Sequence, residues 1–527
     1  MNLKALNPRL HNIIFHTHTV AGIVISFALF VIFYAGAFAL FRDELYQWEN
    51  HRARQVTIQK VDTEEVLSQV KAHYPNFKES GQTRIIYNNE SQPYIQFNAD
   101  LETDDKRNNR IRALINPETW EITDNRKPLT TVGETLYHLH YFDQIPEAGI
   151  WISGFFSLFF LFAIVTGVLI HWKNIIRKFY AFSIKKKMKN IWTDAHTMLS
   201  IIGLPFQVVY AVTGCLFGLL TLLLAPSVIL MFQGSADPIF ENIQPQRTMR
   251  PGEEAKEAAM VSITNIYDEL QKEFPNHTIQ SAQTIHYGYE DATLSFRIDD
   301  GKGIANDGNL VYSLASGKRI AEILPNDKTY TQTVYNLMTK LHFATYGGIL
   351  LKMIYFILAM ITCFSIISGV MIWKTARDKS NYTDKQKHFH YQVTKVYLAI
   401  CLGLFPATAL LFIANKTIPF SIEDRAFYEN AVFFGGWLIL ILIGLFWNNL
   451  KQLNIRYLII GGISSILIPI LNGIVTGDWF FIAFAKAKYI IASIDIFWLL
   501  TGVSALWIAH LNHQSKNKTT KHSLEIK

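Results

Sequence analysis

The sequence predicts a polytopic α-helical membrane protein with about eight transmembrane helices, built on a helix–outer domain–helix unit that occurs twice. Three observations predict it. Half of the 527 residues are hydrophobic and only 17% are charged. The apolar residues are gathered into runs free of Asp, Glu, Lys and Arg: Thr19–Phe41, Ala148–Trp172, Ala195–Ala236, Met353–Trp373, Val396–Asn415, Ala431–Leu450 and Tyr457–Gly477. An eighth, Tyr489–Gln514, is broken only by Asp495. Each reaches the roughly 20 residues that a helix needs to cross a hydrocarbon core. Finally, two hydrophilic stretches, Arg42–Glu147 and Asp237–Lys352, are each long enough for a small α+β domain. A soluble globular enzyme is excluded.

In chain order the expected organisation is helix 1 (1–41), a first outer domain (42–147), helix 2 (148–173), a basic loop (174–195) and helix 3 (196–236). A second outer domain (237–347), helix 4 (348–373), a loop (374–392), helices 5–8 (393–510) and a tail (511–527) follow. The first run is longer than the roughly 7–15 apolar residues of a signal peptide, so helix 1 is expected to be retained. Cys215, Cys363 and Cys401 all lie inside apolar runs, which leaves no disulfide framework and no C-x-x-C motif.

The net charge of +7 needs no nucleic acid, because the cations sit where membrane topology places them. Lys173, Arg177, Lys178, Lys185, Lys186, Lys187 and Lys189 fill the helix 2–3 connection, and Lys374, Arg377, Lys379, Lys385 and Lys387 the 4–5 connection. The 5–6 and 7–8 loops hold two cations each. The positive-inside rule then puts both termini in the cytoplasm and both large loops outside.

Each outer domain reads as one helix followed by strands. Asp62-Thr63-Glu64-Glu65 is a capping signature, and the helix stops near Tyr74-Pro75-Asn76. Residues 83–87, 93–98 and 111–115 look extended. The second domain repeats the plan, with a helix over 263–274 and strands over 279–287, 292–298 and 310–313.

The likeness extends into the membrane. His18 precedes Gly36 by 18 residues, and His196 precedes Gly214 by 18; His140 precedes Gly167 by 27, and His342 precedes Gly369 by 27. Both copies enter from the same side, so the repeat is parallel, about an axis along the membrane normal. Helices 5–8 show no such pattern.

That symmetry groups His18 with His196 at one membrane face and His140 with His342 at the other. A neutral imidazole is a good axial ligand for haem iron, and facing pairs offer bis-histidine ligation of two haems. Interfacial histidines are also common as polar caps. His16 and His138, unmatched in the other copy, are set aside; His171 is a reserve ligand for the first pair, and His388 and His390 are expected in a solvated loop. The four glycines serve either close helix packing or room for a flat macrocycle. Asp495 is either functional or paired with Lys488.

With these residues in hand, the chain resembles the PepSY-associated transmembrane family over roughly residues 10–374. The resemblance is carried by His18-Thr-Val-Ala-Gly22, Phe41-Arg-Asp-Glu-Leu45, Leu139-His140, His196 with Thr213-Gly214, and Leu341-His342-Phe-Ala-Thr-Tyr-Gly-Gly348 with Trp373. It implies that the outer domains are PepSY domains in the periplasm of a bacterium and that the membrane is the cytoplasmic (inner) one. It implies an oxidoreductase, a ferric-siderophore reductase carrying two non-covalent haems b on His18, His196, His140 and His342. The substrate would be a ferric siderophore or other iron chelate held between the two outer domains. Some members carry a fused flavin reductase domain. Here only a short tail follows helix 8, so a separate cytoplasmic flavin-dependent donor is expected. Two other classes stay open: a transporter or permease component for iron chelates, favoured by eight helices and Asp495, and a non-catalytic regulator whose PepSY domains bind peptides or a protease.

Overall fold

A computed structural model describes residues 7–51, 54, 56–89, 92–104, 109–124, 131–175, 179–180, 188–252, 254–301, 303–304, 306–422, 424–447 and 449–524. Arg177, Lys178, Lys185, Lys186 and Lys187 lie outside the described residues. Eight of the described helices are long and apolar enough to cross a membrane. The chain divides into a helical unit (1–49, 130–219, 354–527) and an α/β unit (50–129, 220–353).

The helical unit begins with α1 (Pro8–Ala39), started by Asn7 and Pro8, and a short α2 (Arg42–Glu49). The α/β unit interrupts with α3 (Thr63–His73) before the chain returns through α4 (Val132–His140), α5 (Gly149–His171) and α6 (Met188–Ile202). After a break at Gly203, α7 (Leu204–Met231) follows, with a non-helical kink at Leu219. The kink follows a close crossing, where a Cβ on Gly218 would lie 2.5 Å from Gly154 Cα. The third apolar run is thus divided at Gly203, and the helix long and apolar enough to span begins at Leu204. The α/β unit then adds α8 (Asp237–Ile243), α9 (Ile263–Glu273) and α10 (Tyr330–Phe343). Next come α11 (Gly348–Ala376), α12 (Asp384–Thr417), α13 (Arg425–Phe446), α14 (Leu450–Thr476), α15 (Phe480–Ala485) and α16 (Tyr489–Leu524). Within the helical unit α1 is central, its residues from Ile25 to Phe38 mostly buried against neighbouring helices. The three cysteines are buried free thiols. His388 and His390 lie on α12, not in a loop, because the Thr383–Gln386 capping box starts that helix well before its apolar run.

In the α/β unit the two expected outer domains are joined into one eight-stranded antiparallel sheet of order β4-β3-β2-β1-β5-β6-β7-β8. Its strands are β1 (Gln82–Ile86), β2 (Ile95–Asp100), β3 (Arg110–Ile115), β4 (Ile122–Asp124), β5 (Thr278–Ile285), β6 (Thr293–Asp299), β7 (Gly308–Ser313) and β8 (Arg319–Ile323). The copies meet at β1 and β5, where Thr83 faces Thr284 and Ile85 faces Ala282. Pairing removes the edge that each four-stranded half would otherwise leave open. One core runs through both halves, with Val66 and Val70 of α3, Ile266 and Leu270 of α9, and Ile85, Phe97 and Phe296 of the sheet. The start of α9 is also capped by the first copy's acids: Glu64 accepts from Ile263 N–H (2.8 Å), and Asp62 from the Thr264 hydroxyl (2.8 Å).

Candidate functional site

The helical unit brings His18 of α1 and His196 of α6 together, ring centroids 6.4 Å apart and planes inclined at 65°. Each ring is held from behind by a different helix. His18 Nδ1 lies 3.0 Å from Ala163 O and 3.1 Å from Thr166 Oγ1; His196 Nδ1 lies 2.8 Å from Ser365 O and 3.3 Å from Ser368 Oγ. A carbonyl only accepts, so Nδ1 carries the proton and the neutral ring's lone pair is at Nε2. Thr166 Oγ1 donates to Phe162 O, and Ser368 Oγ to Ser365 O, which leaves each hydroxyl a lone pair for the imidazole N–H. Neither Nε2 makes a hydrogen bond among the described residues.

The glycines explain how the rings get so close to a helix backbone. The accepting carbonyl is four residues before Gly167 for His18, and four before Gly369 for His196. A Cβ on Gly167 would come within 3.2 Å of His18 Cε1, and one on Gly369 within 3.3 Å of His196 Cε1. The missing side chain makes room for the imidazole itself. A neutral imidazole pair oriented by outer hydrogen bonds is the donor set that haem iron takes.

His140 follows the same rule. Its Nδ1 lies 2.8 Å from Ile32 O, four residues before Gly36, where a Cβ would meet Nδ1 at 2.6 Å. Its helix α4 is pinned by the segment after α1. The buried Glu49 carboxylate accepts from the N–H groups of Thr131 (2.5 Å), Val132 (3.1 Å) and Gly133 (2.9 Å). The Arg42 guanidinium pairs with Glu134 at 2.5 Å and lies over Tyr137.

Helices α12–α16 fasten this assembly from the other side. Lys416 sits 3.9 Å over the Trp48 ring and donates to Trp48 O. Trp48 Nε1 donates to Asp495 (2.8 Å), whose other oxygen accepts from Asn472 (2.8 Å). Lys488 is not the partner of Asp495. It pairs with Asp478 at 3.0 Å, because the turn after α14 brings that carboxylate to it. A fully buried carboxylate holding two neutral donors is an anchoring element here.

His342 ends α10 in the α/β unit, half-buried, just before Ala344 takes the left-handed conformation that closes the helix. Gly214 faces Ser157 of α5, whose Oγ a Cβ would meet at 2.5 Å. His171 is four residues beyond Gly167 on α5, hence on the same helix face. His138 is engaged with Asp143 at 2.8 Å and Glu134 at 3.5 Å, and His16 is exposed. Thr166 and Ser368 were not singled out from sequence. Their signal was a hydroxyl residue directly before Gly167 and Gly369, the equivalent glycines of the two copies.

Fold and site together define a polytopic membrane protein with a duplicated helix–half-sheet–helix unit and histidines braced against glycine-gapped helices. The family described as PepSY-associated TM region matches residues 15–375, well over half of the chain, and the chain belongs to that family. The match spans both copies and stops at the end of α11, leaving α12–α16 outside it. No curated protein matches the chain.

Proposed function

We propose that this chain is an oxidoreductase of the bacterial cytoplasmic membrane that reduces ferric chelates, such as siderophore iron, in the periplasm. Two haems b carry the electrons, which come from a cytoplasmic flavin-dependent donor. The observation that supports this reading best is the His18–His196 pair, with both Nδ1 atoms tied to carbonyls and both Nε2 atoms open. Bound haem iron supplies the one-electron chemistry. The protein's share is positional. His18 and His196 offer their lone pairs in one fixed tautomer, while Thr166, Ser368 and the carbonyls of Ala163 and Ser365 keep the rings from turning. His140, braced in the same way, and its repeat counterpart His342 are assigned to the second haem.

By the Lys/Arg asymmetry the α/β unit is periplasmic. Its two halves pair edge to edge, so the chelate meets one continuous sheet rather than a cleft between two domains. The groove at the β1–β5 junction, lined by Glu64, Lys71, Glu79, Thr83, Thr284 and Tyr287, has a volume of about 240 Å³. That is below the roughly 300–1,000 Å³ of sites enclosing drug-sized ligands, so it would take one arm of a chelate at most. The transporter reading drew on Asp495, whose carboxylate is occupied by Trp48 and Asn472.

An absorption spectrum tests the proposal. The purified chain should be red, show split α/β bands on reduction, and yield about two haems in a pyridine haemochrome assay. His18→Ala or His196→Ala should remove about one of them. A colourless protein from haem-replete cells would overturn the reading.

A further inference from the structure

Where α11 ends and α12 begins, the helical unit folds a cavity of about 290 Å³ lined by Lys374, Arg377, Asp378, Lys387, His388 and His390. Three cations and one carboxylate line it, and with Asp384 beside Lys387 counted the cluster keeps one net positive charge. Only Lys374 is closely paired, with Asp378 at 2.9 Å; Lys387 Nζ is 3.7 Å from Asp384, beyond hydrogen-bond reach. The Arg377 guanidinium is stacked 4.6 Å over the Trp373 ring and donates once, to Trp373 O. Its remaining N–H groups have no partner among the described residues. His390 is wedged against Trp373 and Tyr382, its Nδ1 enclosed and without a hydrogen bond. Stacking therefore holds a planar donor fork rigid while leaving most of its donors unused. Such a fork beside the Lys387 ammonium, which is ion-paired with Asp384 without a hydrogen bond, is matched to a phosphate.

We infer that this cavity binds a phosphate group, presented by a nucleotide-type redox carrier or by an anionic phospholipid headgroup. Its volume holds roughly ten water-sized groups at about 30 Å³ each, enough for a phosphate and part of what carries it. The first turns of α12 add the positive end of a helix dipole. Lys374 follows Gly369 by five residues on α11, about 7.5 Å along the axis, so the cavity lies towards the His18–His196 end of that helix. By the charge pattern this side is cytoplasmic. The inference does not depend on haem being present, and its test has no redox readout.

The test uses the full chain in detergent and in nanodiscs. Flavin mononucleotide, inorganic pyrophosphate and phosphatidylglycerol, with phosphatidylcholine as control, are titrated by calorimetry or scored by native mass spectrometry. Arg377→Gln and Lys387→Gln, neither of which hydrogen-bonds to a paired histidine, should weaken binding at least tenfold with the melting temperature unchanged. Arg377→Lys should recover part of it. Competition between pyrophosphate and the flavin identifies a nucleotide source; retention of phosphatidylglycerol alone identifies a lipid source. No saturable binding of any probe, or parent-like binding by both Gln variants, overturns the inference. Should a variant fail to fold, the parent decides: binding unaffected between 50 and 300 mM NaCl (about 2.4-fold in Debye length) equally overturns it.

Discussion

The short helices α4 and α10 are equivalent in sequence in the two copies, with His138 aligned to Lys340 and His140 to His342, yet they are anchored by different means. Helix α4 has no side-chain cap of its own; Glu49 of α2 accepts from the N–H groups of its N-cap residue Thr131 and its first two residues. Its anchorage continues through Trp48, Lys416 and Asp495 into helices outside the repeated unit. Helix α10 instead carries a complete capping box, Thr329 with Gln332. It also sinks Lys340 into the α/β unit, where the ammonium meets Asp299 at 2.9 Å and Gly303 O at 2.8 Å. Duplication thus preserved the histidines and their spacing while the supports diverged. A ligand position can be kept by any scaffold that satisfies the helix ends.

The comparison can be broken most forcefully at Lys340. Lys340→Ala strands a buried Asp299 and should cost about 3–5 kcal/mol. Hydrogen exchange should accelerate in α10 and β6 and leave α4 unchanged; loosening of α4 to the same extent would end the claim of separate anchorage. Glu49→Ala is the converse. Losing three buried acceptor contacts should cost about 2–3 kcal/mol, with exchange rising in α4 and α2 but not in α10. A thermal melt identical to the parent would show that water replaces the carboxylate.

Gly36 and Gly369 sharpen the picture at the rings. Gly36→Ala places a Cβ 2.6 Å from His140 Nδ1, so the imidazole must leave the Ile32 carbonyl, at a cost of about 1–2 kcal/mol. Gly369→Ala asks His196 to move by only a few tenths of an ångström. Nitrogen-15 spectra of labelled histidines should show a tautomer change at His140 and none at His196. The reverse pattern would refute the cradle argument.

The smallest effect is at His138. Its hydrogen bond to Glu134, then the pairing with Asp143, hold its pKa above the ordinary histidine value. Stability from this link is therefore full below about pH 6.5 and is lost as pH rises through the higher folded value. The side chain is 40% exposed, so screening limits the contribution to less than about 1 kcal/mol. Melting curves of the parent and His138→Gln should converge as pH rises to 9; divergence would contradict the assignment.

Much of the site could be read from residue spacing. The 18- and 27-residue intervals single out both histidines and the glycines opposite them, because a duplicated helix keeps its contacts in register. The reading that left glycine purpose open, and that missed Thr166 and Ser368, lacked the crossing geometry that lays one helix's imidazole on another's carbonyl. Asp495 was harder still. Its donor Trp48 lies 447 residues away, whereas Lys488, seven residues back, looked the natural partner.

By itself the sequence determined the number and extent of the apolar spans, the duplication, the helix cap at Asp62, the helical stretch from Ile263, and the candidate ligands. These follow from run length, periodicity and caps, which are local properties of the chain. Tertiary structure alone decided that the two α+β halves share one sheet, that α12–α16 lock α2 and α4, and that Nδ1 rather than Nε2 is spent on the backbone. A strand edge and a buried polar group are each satisfied by whichever partner the folded chain brings within about 3 Å, and nothing in local composition specifies that partner.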